Sequence, residues 1–331
     1  MSGTDKNDAE VQPAPSPILF VHIPKTAGTS LRLSAIEQFG PDAVAFDYGR
    51  DNPMTSPCIA THLYESPDFA ALAGALRTKR FITGHVCVTK YLPLLPDARL
   101  ATFVRDPVDR VESEFVHYRT HHGSSQTLAQ FVVTPEFRSK QRFYTRPLEP
   151  WHFDFIGRAE DYASELARFN RTFGVAFESR HANARVAEAH TPIDAAMTVR
   201  IVSLNGADVV FRYLAERLAG VDDRADLPPR PAGFGAFARQ PNGGIKGHAY
   251  ALTSLEPVEV GLYANGVRVD TLEATIPRPD LVAQHVRLRP EAGFEITPRR
   301  LAEVEAHGRL EIRIEGTNVA LAERMSSDFW F

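Results

Sequence analysis

The chain has 331 residues, 44% of them hydrophobic and 24% charged, enough for two domains of a soluble globular protein. A formal net charge of −4 argues against wholesale nucleic-acid binding, so any anion site has to be local, built from a few basic side chains and backbone N–H groups. Two cysteines, Cys58 and Cys87, are too few for a disulfide framework, no apolar run approaches the roughly 20 residues of a membrane span, and the first residues show no signal pattern, so cytoplasmic residence is the expectation.

Residues 1–16 are polar and proline-bearing and read as a disordered tail. A buried strand follows at Ile18–Ile23, then a Lys25 loop, then a helix-compatible stretch Leu31–Phe39 that stops at Gly40-Pro41. Short apolar runs recur at Arg80–Thr83, Leu100–Val104, Phe153–Ile156 and Thr172–Phe177, with helical patterns between several of them. That alternation predicts an α/β fold, a mainly parallel sheet covered by helices. Ligands of such sheets bind beyond the carboxyl ends of the strands, where both Lys25 and Arg105 fall. The helical second half of Arg200–Leu218 closes a first domain at 17–221. The stretch 222–244, rich in proline, glycine and charge, reads as a linker. Beyond it the pattern changes to strict alternation, with Asn265-Gly266 between two alternating runs as a hairpin signal, so 245–331 is expected to be a small, sandwich-like all-β domain.

The stretch FVHIPKTAGTSLR, 20–32, carries the first chemistry. A strand entering a turn and then a helix leaves N–H groups unpaired at the positive end of the helix dipole, where phosphate binds. Gly28 allows close approach of the backbone, Thr29 and Ser30 offer hydroxyls, and Lys25 adds a point charge. Lysine precedes glycine here, the reverse of the ATP-type loop, which points to a different phosphorylated nucleotide. The second stretch is RLATFVRDPVDRVESEF, 99–115. Asp106 suits an N-cap and Pro107 the first helical position, which puts Arg105 at the strand end and Ser113 about two turns into the helix, able to converge on one anion. Taken singly, the first stretch also reads as a plain turn and the second as a capped helix with Arg105 paired to an acid.

Together, HIPKTAGTS and RDPVDRVESEF resemble the 5′-phosphosulfate loop and the 3′-phosphate motif of sulfotransferases that use 3′-phosphoadenosine 5′-phosphosulfate (PAPS), in the manner of the carbohydrate enzymes related to heparan sulfate 2-O-sulfotransferase. The resemblance covers roughly 17–220. It implies a P-loop-like, three-layer parallel sheet with helices on both faces, PAPS as co-substrate, 3′-phosphoadenosine 5′-phosphate (PAP) as product, and no metal. Lys25 would then attend the bridging oxygen, Thr26, Gly28, Thr29 and Ser30 would hold the 5′-phosphate, and Arg105 and Ser113 the 3′-phosphate. Ala27 stands in the loop where family members often carry glycine, and its methyl group is tolerated if φ is negative.

A hydroxyl acceptor needs a base, and histidine has the most suitable ordinary pKa. His85, in RFITGHVCV, follows a strand at the same sheet edge and matches the base of the resembling glycan enzymes; its competing reading is a buried histidine bonded to backbone. His22 is expected to be structural, and His117, His121 and His122 to form a solvated face, the alternative being that with Arg119 they touch an anionic acceptor. No histidine or cysteine spacing supplies a zinc set, and no G-x-S-x-G elbow is present. The later stretch FDFIGRAEDYASELARF, 153–169, reads as strand, Gly157 turn and helix, while ESRHANARV, 178–186, resembles a segment lying over the donor nucleotide, with Arg180 and Asn183 as contacts. The C-terminal stretches GHAYA, VEVGLYANGVRV, RPDL and GFEI resemble sandwich modules of bacterial glycan-modifying enzymes, which would contact a glycan or a partner chain or simply stabilise the protein. The expectation is a sulfotransferase acting on a hydroxyl of a saccharide, with no nucleic-acid partner; a P-loop kinase or nucleotide triphosphatase and a non-catalytic glycan-binding scaffold are the alternatives.

Overall fold

In the computed structural model, which describes residues 16–179, 193–219 and 226–324, the apolar run Ile18–Val21 forms β1, buried on both faces as the central strand of a parallel sheet has to be. The chain continues through α1 (Gly28–Phe39), β2 (Val44–Asp47), a single turn α2 (Pro57–Ile59), α3 (Phe69–Arg77), β3 (Phe81–Gly84), β4 (Arg99–Val104), α4 (Pro107–His121), α5 (Leu128–Phe131), α6 (Lys140–Thr145), β5 (Phe155–Arg158), α7 (Tyr162–Phe173), α8 (Ala195–Leu204) and α9 (Gly206–Leu218). The five strands are all parallel, in the order β2-β3-β1-β4-β5.

Alternation along β1 divides the core into two. Ile18 and Phe20 pack with Leu31 and Ala35 of α1 and Leu166 and Phe169 of α7, while Leu19 and Val21 join Leu72 and Leu76 of α3 and Phe211 of α9. Helices therefore cover both faces, giving the three layers of a doubly wound sheet. Two details differ from the sequence reading. Gly157 is no turn: it lies within β5, where the Phe103 ring occupies the space a Cβ would need. The expected strand at Thr172–Phe177 is instead the end of α7, which stops at Gly174 with φ 65°. Phe177 still enters the core, held by the Asn170 side chain, whose Nδ2 donates to the Phe177 carbonyl at 2.9 Å and whose Oδ1 accepts its N–H at 3.1 Å.

The C-terminal strands begin earlier than composition suggests. β6 (Gly233–Arg239) lies inside the expected linker and pairs antiparallel along its whole length with β7 (Ile245–Ala251). Its glycines, which read as linker residues, are close-packing positions: a Cβ on Gly235 would meet the His248 carbonyl and Leu321. Then come β8 (Glu259–Ala264), β9 (Val267–Glu273), β10 (Ile276–Pro277), α10 (Pro279–Ala283), β11 (Glu291–Ile296), α11 (Pro298–Glu305), β12 (Leu310–Ile314) and β13 (Ala322–Glu323). Asn265 and Gly266 turn the β8–β9 hairpin at φ 51° and 80°. One sheet has the order β10-β11-β7-β6-β13 and the other β12-β8-β9, enclosing Phe237, Ile245, Leu262, Phe294 and Ile312, with Leu301 and Val304 of α11 closing the side.

This region is not merely tethered. Tyr250, Leu252, Leu281, Val286 and Leu288 belong to the same apolar cluster as Leu92, Leu94 and Leu95, in the segment between β3 and β4. Thr89 Oγ1 donates to the Val286 carbonyl at 2.8 Å, and the Cys87 N–H donates to that of His285 at 3.1 Å.

Candidate functional site

The carboxyl ends of β1, β3 and β4 open into a cleft of about 710 Å³ lined by Lys25, Ala27, Gly28, Thr29, Ser30, His85, Arg105 and Ser113, a volume in the range of small-molecule sites. The loop after β1 is strained: Lys25 and Ala27 both sit at φ 68°, a left-handed conformation that costs a non-glycine residue about 1–2 kcal/mol. The negative φ expected for Ala27 is thus not found. The neighbouring structure holds the loop in place. Thr26 is fully buried and its Oγ1 donates to the Ile23 carbonyl at 2.9 Å, while Arg105 Nη1 donates to the Lys25 carbonyl at 3.3 Å. Thr26 therefore braces the loop from within, and its side chain does not line the cleft.

α1 starts directly behind this loop with no side-chain cap at Ala27, so the N–H groups of its first turn are open to an anion. Gly28 is required for a reason the sequence did not suggest: a Cβ there would lie inside the His22 ring. That ring is buried, accepts or donates a hydrogen bond at 3.1 Å between Nδ1 and Tyr48 Oη, and meets the His85 ring edge-on at 4.6 Å between centroids. His22 is thereby a structural wedge between the phosphate-type loop and His85.

Across the cleft, Asp106 caps α4 as its sequence position predicts, its Oδ1 accepting the N–H groups of Val108 at 2.8 Å and Asp109 at 3.2 Å. The Arg105 backbone is clamped by Gln141 of α6, which accepts its N–H at 2.8 Å and donates to its carbonyl at 2.9 Å. Asp208 of α9 in turn accepts the N–H groups of Gln141 at 3.2 Å and Arg142 at 2.8 Å. Ser113 reaches the cleft from α4, and His117, one turn further on, lines it too. His117, half-buried, and the exposed His122 thus line the cleft, while His121 stays on the exposed face. The i, i+4 spacing from Ser113 was the available signal; likewise Arg32, four residues after Gly28, lines the cleft from α1. Lys140, Glu114, Glu136 and Glu160 add to the charged lining; Glu114 lies within the 99–115 stretch beside Ser113, whereas nothing in the sequence marked Lys140. Glu114 is paired with the fully buried Arg110.

Burial lowers the pKa of Lys25, with Glu114 opposing and Arg105 assisting. His85 is pulled down to about 4, first by burial and then by the charges of Lys140 and Arg32, so its imidazole is neutral and able to accept a proton at neutral pH. The His85 backbone N–H donates to the Asp47 backbone carbonyl at 3.1 Å. Asp47, at the end of β2, is the centre of a network that the sequence did not reveal. Lys90 Nζ lies 2.6 Å from its Oδ2, Tyr91 donates to Oδ2 at 2.6 Å and Tyr64 to Oδ1 at 2.7 Å, with both members of the ion pair at most 2% exposed. Burial alone would raise the Asp47 pKa, but the Lys90 ammonium and the two tyrosine hydroxyls outweigh it and hold the carboxyl below its ordinary range.

Arg180 and Asn183 lie outside the described residues. Among the described residues no three histidine, cysteine or acidic side chains gather as a metal set, and no helix is long and apolar enough to cross a membrane.

No family model matches this chain, and no curated protein matches it. Solved structures with some likeness include a sulfotransferase from Alicyclobacillus acidocaldarius, at 15% identity over 61% of this chain and 96% of that one, with a TM-score of 0.37. Mouse sulfotransferase SULT7A1 complexed with PAP has 15% identity over 59% and 66%, with a TM-score of 0.30. Retinol dehydratase in complex with androsterone and inactive cofactor PAP has 17% identity over 62% and 65%, with a TM-score of 0.27. The cleft's own side chains bring together Lys25 and the uncapped start of α1, Arg105 and Ser113 of the adjacent strand end, and the neutral His85 after β3.

Proposed function

We propose that this protein is a sulfotransferase that moves a sulfuryl group from PAPS to a hydroxyl group, with a saccharide as the acceptor. The observation that carries this reading is the convergence, in one cleft, of two separate anion-binding elements and a neutral imidazole. Lys25 and the uncapped start of α1 suit a phosphate at one end of a nucleotide. Arg105 and Ser113 suit a second phosphate at the other end, the feature that separates this donor from ADP-type nucleotides. The residues fit the donor: the lining supplies cations and N–H donors where its phosphates carry charge.

His85 takes the proton of the acceptor hydroxyl as the acceptor oxygen forms its bond to sulfur and the bond from sulfur to the phosphate oxygen breaks. Lys25 and the loop N–H groups stabilise the negative charge left on that phosphate. His22, wedged against both Gly28 and His85, holds base and loop in a fixed relation. A saccharide acceptor rests on the resemblance of the two motifs to carbohydrate sulfotransferases.

Calorimetry tests the donor assignment. PAP is expected to bind more tightly than ADP by about 1.5–3 kcal/mol, the range for hydrogen bonds to a charged group, and Arg105→Gln is expected to abolish that preference. ATP with magnesium binding as tightly as PAP would instead favour a kinase or triphosphatase. Absence of binding by any of the three would favour a scaffold.

A further inference from the structure

A second cavity of about 400 Å³ lies between α6 and the C-terminal sheet, against Phe234, His248 and Tyr250. Its wall is unusual for a chain with net negative charge: five arginines, Arg138, Arg142, Arg146, Arg278 and Arg324, face one aspartate, Asp280. Two of these charges are balanced locally. Arg142 pairs with Glu149 at 2.6 Å, and Arg278 pairs with Asp280 through Nε and Nη2, each at 2.8 Å. Arg138, Arg146 and Arg324 have no carboxylate in salt-bridge range among the described residues, and Arg138 carries a buried Nε with no hydrogen-bond partner. Such a concentration of guanidinium groups repels itself and is stabilised by an anion placed among them.

The cavity is too large for a bare inorganic anion and has aromatic walls, since Phe143, stacked under the Arg146 guanidinium at 4.7 Å, and Phe234 and Tyr250 line it as well. Rings beside guanidinium forks suit a ligand with a ring-sized body and one oxyanion. We propose that this cavity is a second binding site, separate from the donor cleft, for an anionic sugar whose sulfate ester or carboxylate is held by Arg138, Arg146 and Arg324. The two sites share α6 as a wall: Lys140 and Tyr144 line the donor cleft, whereas Arg142, Phe143 and Arg146 line the second cavity. The proposal needs no property of the donor cleft and stands whether or not the protein transfers sulfate.

Calorimetry on the full chain with glucose 6-sulfate, glucuronate, glucose and sodium sulfate tests it. The two anionic sugars are expected to bind, glucose not to bind, and sodium sulfate to bind at least tenfold more weakly than glucose 6-sulfate. Arg146→Gln and the exposed Arg324→Gln are each expected to weaken sugar binding at least fivefold. PAP binding and the thermal midpoint, measured on the same samples, show whether a variant is folded with an intact donor cleft. Binding of neither anionic sugar, binding unchanged in both folded variants, or sulfate binding as tightly as glucose 6-sulfate would each overturn the proposal.

Discussion

At the scale of single residues, the loop after β1 depends on side chains held in positions that oppose their ordinary preferences. Ala27 occupies a left-handed conformation that glycine adopts freely. Ala27→Gly is therefore expected to raise stability in urea by up to about 1 kcal/mol, the relief of left-handed strain less the added chain entropy of glycine. Loss of stability would mean that the methyl group makes a packing contribution larger than the strain. His85 is the second case. In the free protein it is expected to titrate near 4 by NMR, because burial and the nearby cations Lys140 and Arg32 disfavour imidazolium; PAP should move the titration upward, because bound phosphates favour the charged form. A titration near the ordinary 6.5 in the free protein would contradict this environment. The motif residues Lys25, Thr29, Ser30, Arg105 and Ser113 were legible in the sequence because their spacing to strand and helix ends is local. The reason for Gly28 was not, since the residue that forbids a Cβ there, His22, acts through three-dimensional contact.

At the scale of elements, the cleft is positioned by side chains that never reach it. α6 holds Arg105 through Gln141, and α9 holds α6 through Asp208. Gln141→Leu leaves the Arg105 backbone groups without their partner; PAP affinity is expected to fall by about tenfold with the fold retained, measured by calorimetry beside the thermal midpoint. Unchanged affinity would show that the clamp has no bearing on donor binding. The end of β2 behaves similarly for the base. Lys90→Met would leave Asp47 buried without its cation, and a loss of about 3–5 kcal/mol in urea unfolding is expected. The Asp47 carboxyl is depressed in the folded state, so its contribution is present above the unfolded value, near 4, and is lost as pH falls through the folded value. In Lys90→Met the depression is removed, and acid unfolding should begin at higher pH. β2 itself was invisible in the sequence, a four-residue strand within a long stretch of turn residues.

At the scale of the whole molecule, the parallel, helix-covered character of the sheet was readable from alternation, while its strand order and the docking of the C-terminal sheets were not. Val286, Leu288 and Tyr250 look like ordinary strand or loop residues in sequence, yet they complete the core of the first sheet together with Leu92, Leu94 and Leu95. A chain ending at residue 225 would expose Leu92, Leu94 and Leu95 along with that shared cluster, and is expected to aggregate or fail to fold. The intact chain is expected to unfold in one cooperative transition by near- and far-ultraviolet circular dichroism; two separated transitions would show that the parts are energetically independent. The central claim is tested most directly by incubating the protein with PAPS labelled in its sulfate and a panel of saccharides and simple alcohols. The expected result is label transferred to at least one hydroxyl-bearing acceptor, with transfer abolished in His85→Ala while that variant still binds PAP; no transfer to any acceptor, or full transfer by His85→Ala, would contradict the account.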